Sequence, residues 1–287
     1  MGFDISYHPI RKDQMDQWFF EPLQALKNGE SSLVQKVADE QSAQNKSFFA
    51  EKYIDVMRAI SSKDSKVPSE KTILYGMAVI SGFFTTYQYV RGTAYSFLLE
   101  EHPEMGKYCS PWKAFLPDWI AAPEHECITE NYSSGIYMNP SQVKDLLTDY
   151  ETKTTVSQIL EDFFESNLEV FLTALRQAAT SDAGIMEATE VIEVNPFDLN
   201  NSVCYSDIML CDPQGAFIYQ KVAEEQVKEA TGMDASEIAQ KVTYSKSCVD
   251  ISGMDSSEAS SAEKTKDTKG AQAGKKKGLI ARLFGKK

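Results

Sequence analysis

Histidine is scarce in this chain, with three residues in 287, at positions 8, 102 and 125. No HExxH, HxxxH or CxxC spacing occurs. His125 and Cys127 would share one face of an extended segment, but a zinc site needs two or three further ligands at matching spacing. No metal and no cofactor is therefore expected. The sequence also lacks the GxxxxGK[ST] and GxGxxG phosphate loops and the GxSxG nucleophile elbow. That removes the usual signatures of nucleotide binding and of hydrolases built around that elbow. Cysteine is sparse and odd in number, at 109, 127, 204, 211 and 248. Scattered single cysteines argue against a disulfide framework. Cys204 and Cys211 are seven apart, so a straight strand would send them to opposite faces. No basic segment followed by an apolar run opens Met1–Ile10, so no secretory leader is expected and a cytoplasmic setting follows.

Long apolar runs are few. Residues 72–90 carry no charge over 19 positions, close to the length that spans a bilayer. The run includes Gly76, Ser81, Gly82, Thr85, Thr86, Gln88 and three tyrosines, and lacks the aliphatic density of a spanning helix. It reads as the centre of a helix over residues 70–101, capped by Ser69 and buried all round in a helical core.

Acidic residues dominate. The net charge is −13, and the last 25 residues carry nine Lys and Arg against two acids, +7, so the first 262 carry −20. Such a body repels a nucleic acid backbone and suits a basic protein partner.

The densest information lies in residues 184–219. Alternation over 185–194 predicts a half-buried strand, with Met186, Ala188, Ile192 and Val194 inward and Glu187, Thr189 and Glu193 outward. Glu190 breaks the pattern by falling on the apolar face, where a carboxylate needs a partner. The loop Asn195–Asn201 follows, able either to present Asn195, Asp198 and Asn200 to a ligand or to cap its own turn. Residues 203–211 read as a second strand. Asp212-Pro213-Gln214-Gly215 fits a type I turn, and 216–219 the returning strand of a hairpin.

Elsewhere, Phe3–Tyr7 alternates as a strand. Helices are predicted over 11–27, with a bend at Pro22, and once or twice within 33–60. The stretch 102–134 holds Pro103, Pro111, Pro117 and Pro123 with Trp112, Phe115 and Trp119 between them, rings that either cover a core edge or form a binding surface. Residues 135–138 read as a short strand. Helices are expected from Pro140 and over 158–180, then over 220–230 with Gly232 as the stop. Asp234 and Glu237 form a capping pair for a last short helix. From Tyr244 to Gly274 the composition is that of a disordered linker. The tail follows: Lys275, Lys276 and Lys277, then Leu279, Ile280, Leu283 and Phe284 on one helical face. Such a basic amphipathic segment suits weak contact with an anionic membrane or with a partner.

The Met-Gly opening strand, then Ile136-Tyr137-Met138-Asn139-Pro140-Ser141-Gln142-Val143, a Phe-rich helix and a final strand, give an order of parts similar to the YfbM-like group of uncharacterised bacterial cytosolic proteins. The helix containing Gly76, the Trp-Pro stretch and the basic tail depart from that pattern. The resemblance implies an α+β fold and a bacterial source, and carries no activity and no residue roles.

The sequence thus predicts an α+β fold, helix-dominated, with one globular domain over 1–243 and a small antiparallel sheet. The expected function is that of a non-catalytic interaction protein, immunity-like or regulatory, using an acidic surface. The alternative is a small-molecule binder or enzyme with its site between Glu190, the Asn195–Asn201 loop and the stretch holding Trp112 and Trp119.

Overall fold

The structure, a computed structural model, describes residues 2–42, 47–66, 72–124, 126–242 and 244. The linker beyond Tyr244, the tail residues 275–287, His125 and Ser69 lie outside the described residues. The fold is α+β and helix-dominated. Its organising element is β1 (Asp4–Ile10), whose seven residues are all buried. Helices lie against both of its faces, so both sets of alternating side chains are covered.

Three further strands complete the centre of the sheet: β2 (Tyr87–Arg91), β3 (Ser134–Met138) and β4 (Gly184–Thr189). β1 pairs antiparallel with both β2 and β4, and β3 pairs antiparallel with β4. Two-residue strands β5 (Ile192–Glu193) and β6 (Val203–Cys204) form a separate small ladder. β7 (Cys211–Asp212) joins β2 in parallel, giving the order β3-β4-β1-β2-β7. The main sheet is therefore mixed, where the sequence suggested a wholly antiparallel one.

Ile5 and Tyr7 of β1 pack with Val90, Ile136, Met138 and Ile185 beneath the helices Pro140–Thr152, Thr154–Phe164 and Leu168–Thr180. On the other face Ile10, Tyr87, Tyr89, Met186 and Ala188 meet the helices Glu21–Lys27, Ser32–Ser42, Ser47–Ser61 and Thr72–Ser81. The helix ends follow local rules. Asn139 and Gln142 form a reciprocal capping box. Asp234 and Glu237 do the same ahead of Ala235–Lys241. Gly232 closes Gln214–Thr231 in the left-handed region that glycine adopts without cost.

Four sequence expectations are overturned. The long helix over 70–101 is instead the helix Thr72–Ser81, the strand β2 and the helix Tyr95–Glu101. The uncharged run is explained by burial of both pieces, and its Tyr87, Tyr89 and Val90 carry the β preference. No helix among the described residues is long and apolar enough to cross a membrane. The hairpin over 203–219 is also absent. Asp212-Pro213 starts the helix Gln214–Thr231, with the Asp212 carboxylate accepting the Gln214 N–H at 2.9 Å. A Pro just ahead of a helix and a Pro in a turn look alike in sequence. Residues 185–194 are not one strand: the chain leaves β4 at Glu190, whose φ is +60°. The helix expected over 158–180 is divided near Glu165, at φ +47°, into Thr154–Phe164 and Leu168–Thr180.

Candidate functional site

Glu190 is buried, and its role is visible in its bonds. Its N–H donates to the Asp4 carbonyl at 2.7 Å, and its Oε1 accepts the Asp4 N–H at 3.4 Å. Tyr75 donates to its carbonyl at 3.4 Å. The residue locks the exit of β4 onto the start of β1.

The loop that follows caps itself. Asn195 Oδ1 accepts the N–H groups of Phe197 and Asp198 at 3.1 and 3.2 Å. Asp198 accepts from the Asn201 amide at 2.6 Å. Asp198 and Asn200 are exposed. Trp112 is not a surface ring. It is fully buried, donates its indole N–H to the Gly135 carbonyl at 2.8 Å and stacks on Tyr137 at 5.3 Å. Trp119 is half-buried against the same core. Trp112 and Trp119 thus cover the core, and Trp112 does not join Glu190 or Asp198 in a common surface.

The sheet also buries polar groups that alternation misassigned. Glu187 was expected to face solvent. It is fully buried, because β4 is an inner strand covered on both faces. Its carboxyl accepts the Ser96 N–H at 3.3 Å and the Ile136 N–H at 3.4 Å, and Tyr7 Oη lies 3.2 Å away. Burial is the largest influence on it and raises its pKa, while the bonds from Ser96 and Ile136 pull the other way. On the opposite face, Asp4 accepts from Tyr89 at 2.6 Å and pairs with Arg91 at 2.8 Å.

A third set is a short chain of the kind used by nucleophile and base. His8 Nε2 lies 2.9 Å from Ser6 Oγ, and His8 Nδ1 lies 3.1 Å from Ser81 Oγ. Ser81 donates to the Ala78 carbonyl, so Nδ1–H donates to Ser81, and the one hydrogen of Ser6 has two acceptors in reach, Nε2 at 2.9 Å and the Ala188 carbonyl at 3.4 Å. All three residues are fully buried, and the His8 ring is stacked 4.7 Å from Tyr87. Burial lowers the imidazole pKa to about 3, so it is neutral. Neither the cleft at Ile10 and Asp182 nor the groove at Asp212 and Lys221 is lined by these residues. The group satisfies its own polar atoms within the core.

The thiols follow a different course from the one their spacing suggested. Because 203–211 is not a straight strand, Cys204 and Cys211 converge on the hydroxyl of Tyr87, with Cys204 Sγ at 3.3 Å. Burial raises the pKa of both. Among the described residues no group of three or more His, Cys, Asp or Glu is placed to hold a metal ion.

What the surface does offer is apolar. Val203, Tyr205, Ile208 and Met209 are exposed along seven residues of chain, with Met209 at 83 %, and Phe217 follows on the helix after them. A shallow groove of about 490 Å³ runs beside Phe217, between Asp212 and Lys221. Beyond Val203, Lys52 donates to the Cys204 carbonyl and sits 5.0 Å from the ring of exposed Phe48. On the other side Tyr205 meets Tyr132 and Tyr75, the three rings mutually edge-on at centroid distances of 5.7 to 6.5 Å. Both Tyr132 and Tyr205 donate to Glu193, at 2.8 and 3.3 Å. Sequence reading missed this surface because Val203–Cys211 scanned as a strand, which hides alternate residues. Only Val203–Cys204 and Cys211 stay in strands; between them the short helical turn Ile208–Leu210 breaks the alternation and leaves Ile208 and Met209 exposed.

No protein-family model, no curated protein and no solved structure matches the chain.

Proposed function

We propose that this chain is a non-catalytic, cytosolic interaction protein that holds a basic protein partner on the surface spanning Val203 to Phe217. The observation that carries the reading is the exposure of four large apolar side chains within seven residues, on a protein whose other large side chains are mostly buried. Contiguous exposed apolar surface rimmed by polar groups is where proteins bind one another. Glu193 and Asp198 border this surface, and the first 262 residues carry −20, so the partner is basic with an apolar anchor. The same charge disfavours nucleic acid as the partner of the body. The tail, with Lys275–Lys277 and the apolar set Leu279, Ile280, Leu283 and Phe284, adds a second, weak contact to membrane or partner.

The deciding experiment is affinity capture from native lysate with the full chain and with an Ile208→Glu, Met209→Glu variant. Both substituted side chains are exposed, so the variant folds. The reading expects a stoichiometric basic protein on the parent chain, lost on the variant and weakened at high salt. Recovery of no stoichiometric partner at low salt, or equal recovery on both chains, overturns it. Removal of 275–287 with no change in fractionation dismisses the tail's contribution.

A further inference from the structure

The second surface cleft, about 440 Å³, opens where β1 ends at Ile10, β3 ends at Met138 and β4 begins at Gly184. Its floor is apolar, made by Ile10, Phe115 and Tyr137. Gly184 keeps the strand end bare: a side-chain carbon there would fall 2.5 Å from the Met138 carbonyl and 3.0 Å from the Tyr137 hydroxyl.

Tyr137 is the informative residue. It is 5 % exposed, with its ring held between Trp112 at 5.3 Å and Phe115 at 4.8 Å. Its hydroxyl makes no hydrogen bond to any described residue, unlike the buried hydroxyls of Tyr7, Tyr53, Tyr89 and Tyr95. Burial pushes its pKa up to about 12, so it is a donor at neutral pH. The ring is nearly buried but the hydroxyl itself is not among the buried orphaned polar atoms, so it opens to the cleft, where water or a ligand can take its hydrogen.

The rim carries both signs. Arg11 and Lys12 supply two cations and Asp13 and Asp182 two carboxylates, each with one protein partner already: Arg11 pairs with Asp13, Lys12 with Asp16, and Asp182 with Lys144. Asp13 engages Arg11 Nε and one terminal nitrogen at 3.1 and 2.6 Å, which leaves the other guanidinium N–H groups for a ligand. Arg11 and Lys144 hold the Asp13 and Asp182 carboxyls below the usual carboxylate range, so both stay ionised. A simple anion gains Arg11 but faces two carboxylates, and a simple amine meets the reverse. Only a ligand with both charges close together uses both halves of the rim.

We infer that this cleft binds a free α-amino acid with an apolar or aromatic side chain, its carboxylate toward Arg11 and Tyr137, its ammonium toward Asp182, and its side chain on the Ile10–Phe115–Tyr137 floor. The volume suits a molecule of that size.

The test is titration of the full chain, labelled with ¹⁵N, with L-phenylalanine and L-leucine. Phenylacetate, phenethylamine and N-acetyl-phenylalanine amide serve as probes lacking one or both charges. The amino acids are expected to shift the amides of residues 137 and 181–184, and the three other probes to bind at least about tenfold more weakly. Tyr137→Phe should weaken binding about three- to tenfold. It should leave the melting temperature unchanged, since the hydroxyl has no described protein partner. Arg11→Gln should weaken binding further. The proposal is overturned by the absence of shifts at 10 mM amino acid (about the weakest binding worth calling a site), by equal binding of the probes lacking a charge, or by a Tyr137→Phe variant that binds as the parent does.

Discussion

The carboxyl of Glu187 lies against the α-carbon of Gly135, so close that a side-chain carbon on residue 135 would stand 1.9 Å from Oε2. β3 and β4 are neighbours, and the glycine makes room for the buried acid. Gly135→Ala should therefore destabilise the protein by about 2–4 kcal/mol, through overpacking and loss of the bonds that Ser96 and Ile136 make to the carboxyl. Urea unfolding at constant pH measures it. A loss below about 0.5 kcal/mol would mean that Glu187 has another rotamer open to it.

The protonation of Glu187 is linked to stability in a definite direction. Tyr7 has one hydroxyl hydrogen and two acceptors in reach, the Thr93 carbonyl at 3.0 Å and Glu187 at 3.2 Å. A protonated Glu187 donates to Tyr7 and frees that hydrogen for Thr93. The folded-state pKa is raised, so the stabilisation is fully present below the ordinary carboxyl pKa and is lost as pH rises through the folded value. Glu187→Gln should flatten this alkaline-side loss while retaining the fold. An unchanged slope in unfolding free energy against pH would refute the assignment.

His8 acts in the opposite sense. Its folded pKa is depressed to about 3, so the unfolded chain takes up a proton that the folded chain refuses. Stability is present above the ordinary histidine pKa and falls, by about 1.4 kcal/mol per pH unit from this group, between roughly pH 6.5 and 3. His8→Asn should cost stability at pH 7.5, through loss of the Tyr87 stack, but reduce the acid-side slope by about that amount. Unfolding curves at pH 7.5, 6 and 5 decide between them.

Glu190 tests the backbone rather than the side chain. At φ +60° a glycine relieves strain that a β-branched residue increases. Glu190→Gly should change stability by less than about 1 kcal/mol, whereas Glu190→Val should cost about 2 kcal/mol or more. Equal losses in the two variants would shift the weight onto the contact between Oε1 and the Asp4 N–H.

Thiol chemistry gives a fifth measurement. Burial raises the pKa of both Cys109 and Cys211, so at pH 7.5 neither offers an appreciable thiolate. Iodoacetamide should label them at least about tenfold faster in urea than in the folded protein, with peptide mapping as the readout. Fast labelling of folded Cys211 would show that the segment around β7 opens.

Local signals were legible wherever one residue type has one physical role. The helix start at Pro140, the capping pair Asp234 with Glu237, and the stop at Gly232 all lie where the residue types predict. Signals that depend on what lies across the sheet were not. Tyr87–Arg91 is indistinguishable from buried helix while its neighbours β1 and β7 are unknown. Glu187 alternates like a surface residue, and only the inner position of β4 buries it. Trp112 reads equally as cover for a core edge or as a binding surface, and its burial and its bond to Gly135 are those of the core. The exposed residues from Val203 to Met209 are hidden by a strand expectation that the short helical turn Ile208–Leu210 interrupts. The Asn195–Asn201 loop was read as either a capped turn or a ligand loop, and its backbone bonds are those of the capped turn.

The central place of β1 also governs how the chain is made. Its hydrogen-bonding partners are residues 87–91 on one side and 184–189 on the other. During synthesis, at about 5–20 residues per second, the first strand waits roughly 10–40 s for its second partner to emerge. Both edges of the strand are open until residues 87–91 emerge, and the edge that β4 will cover stays open to mispairing for the whole interval. Pairing across such long sequence separations is slow to form, so the strand order sets a slow folding rate for the central sheet.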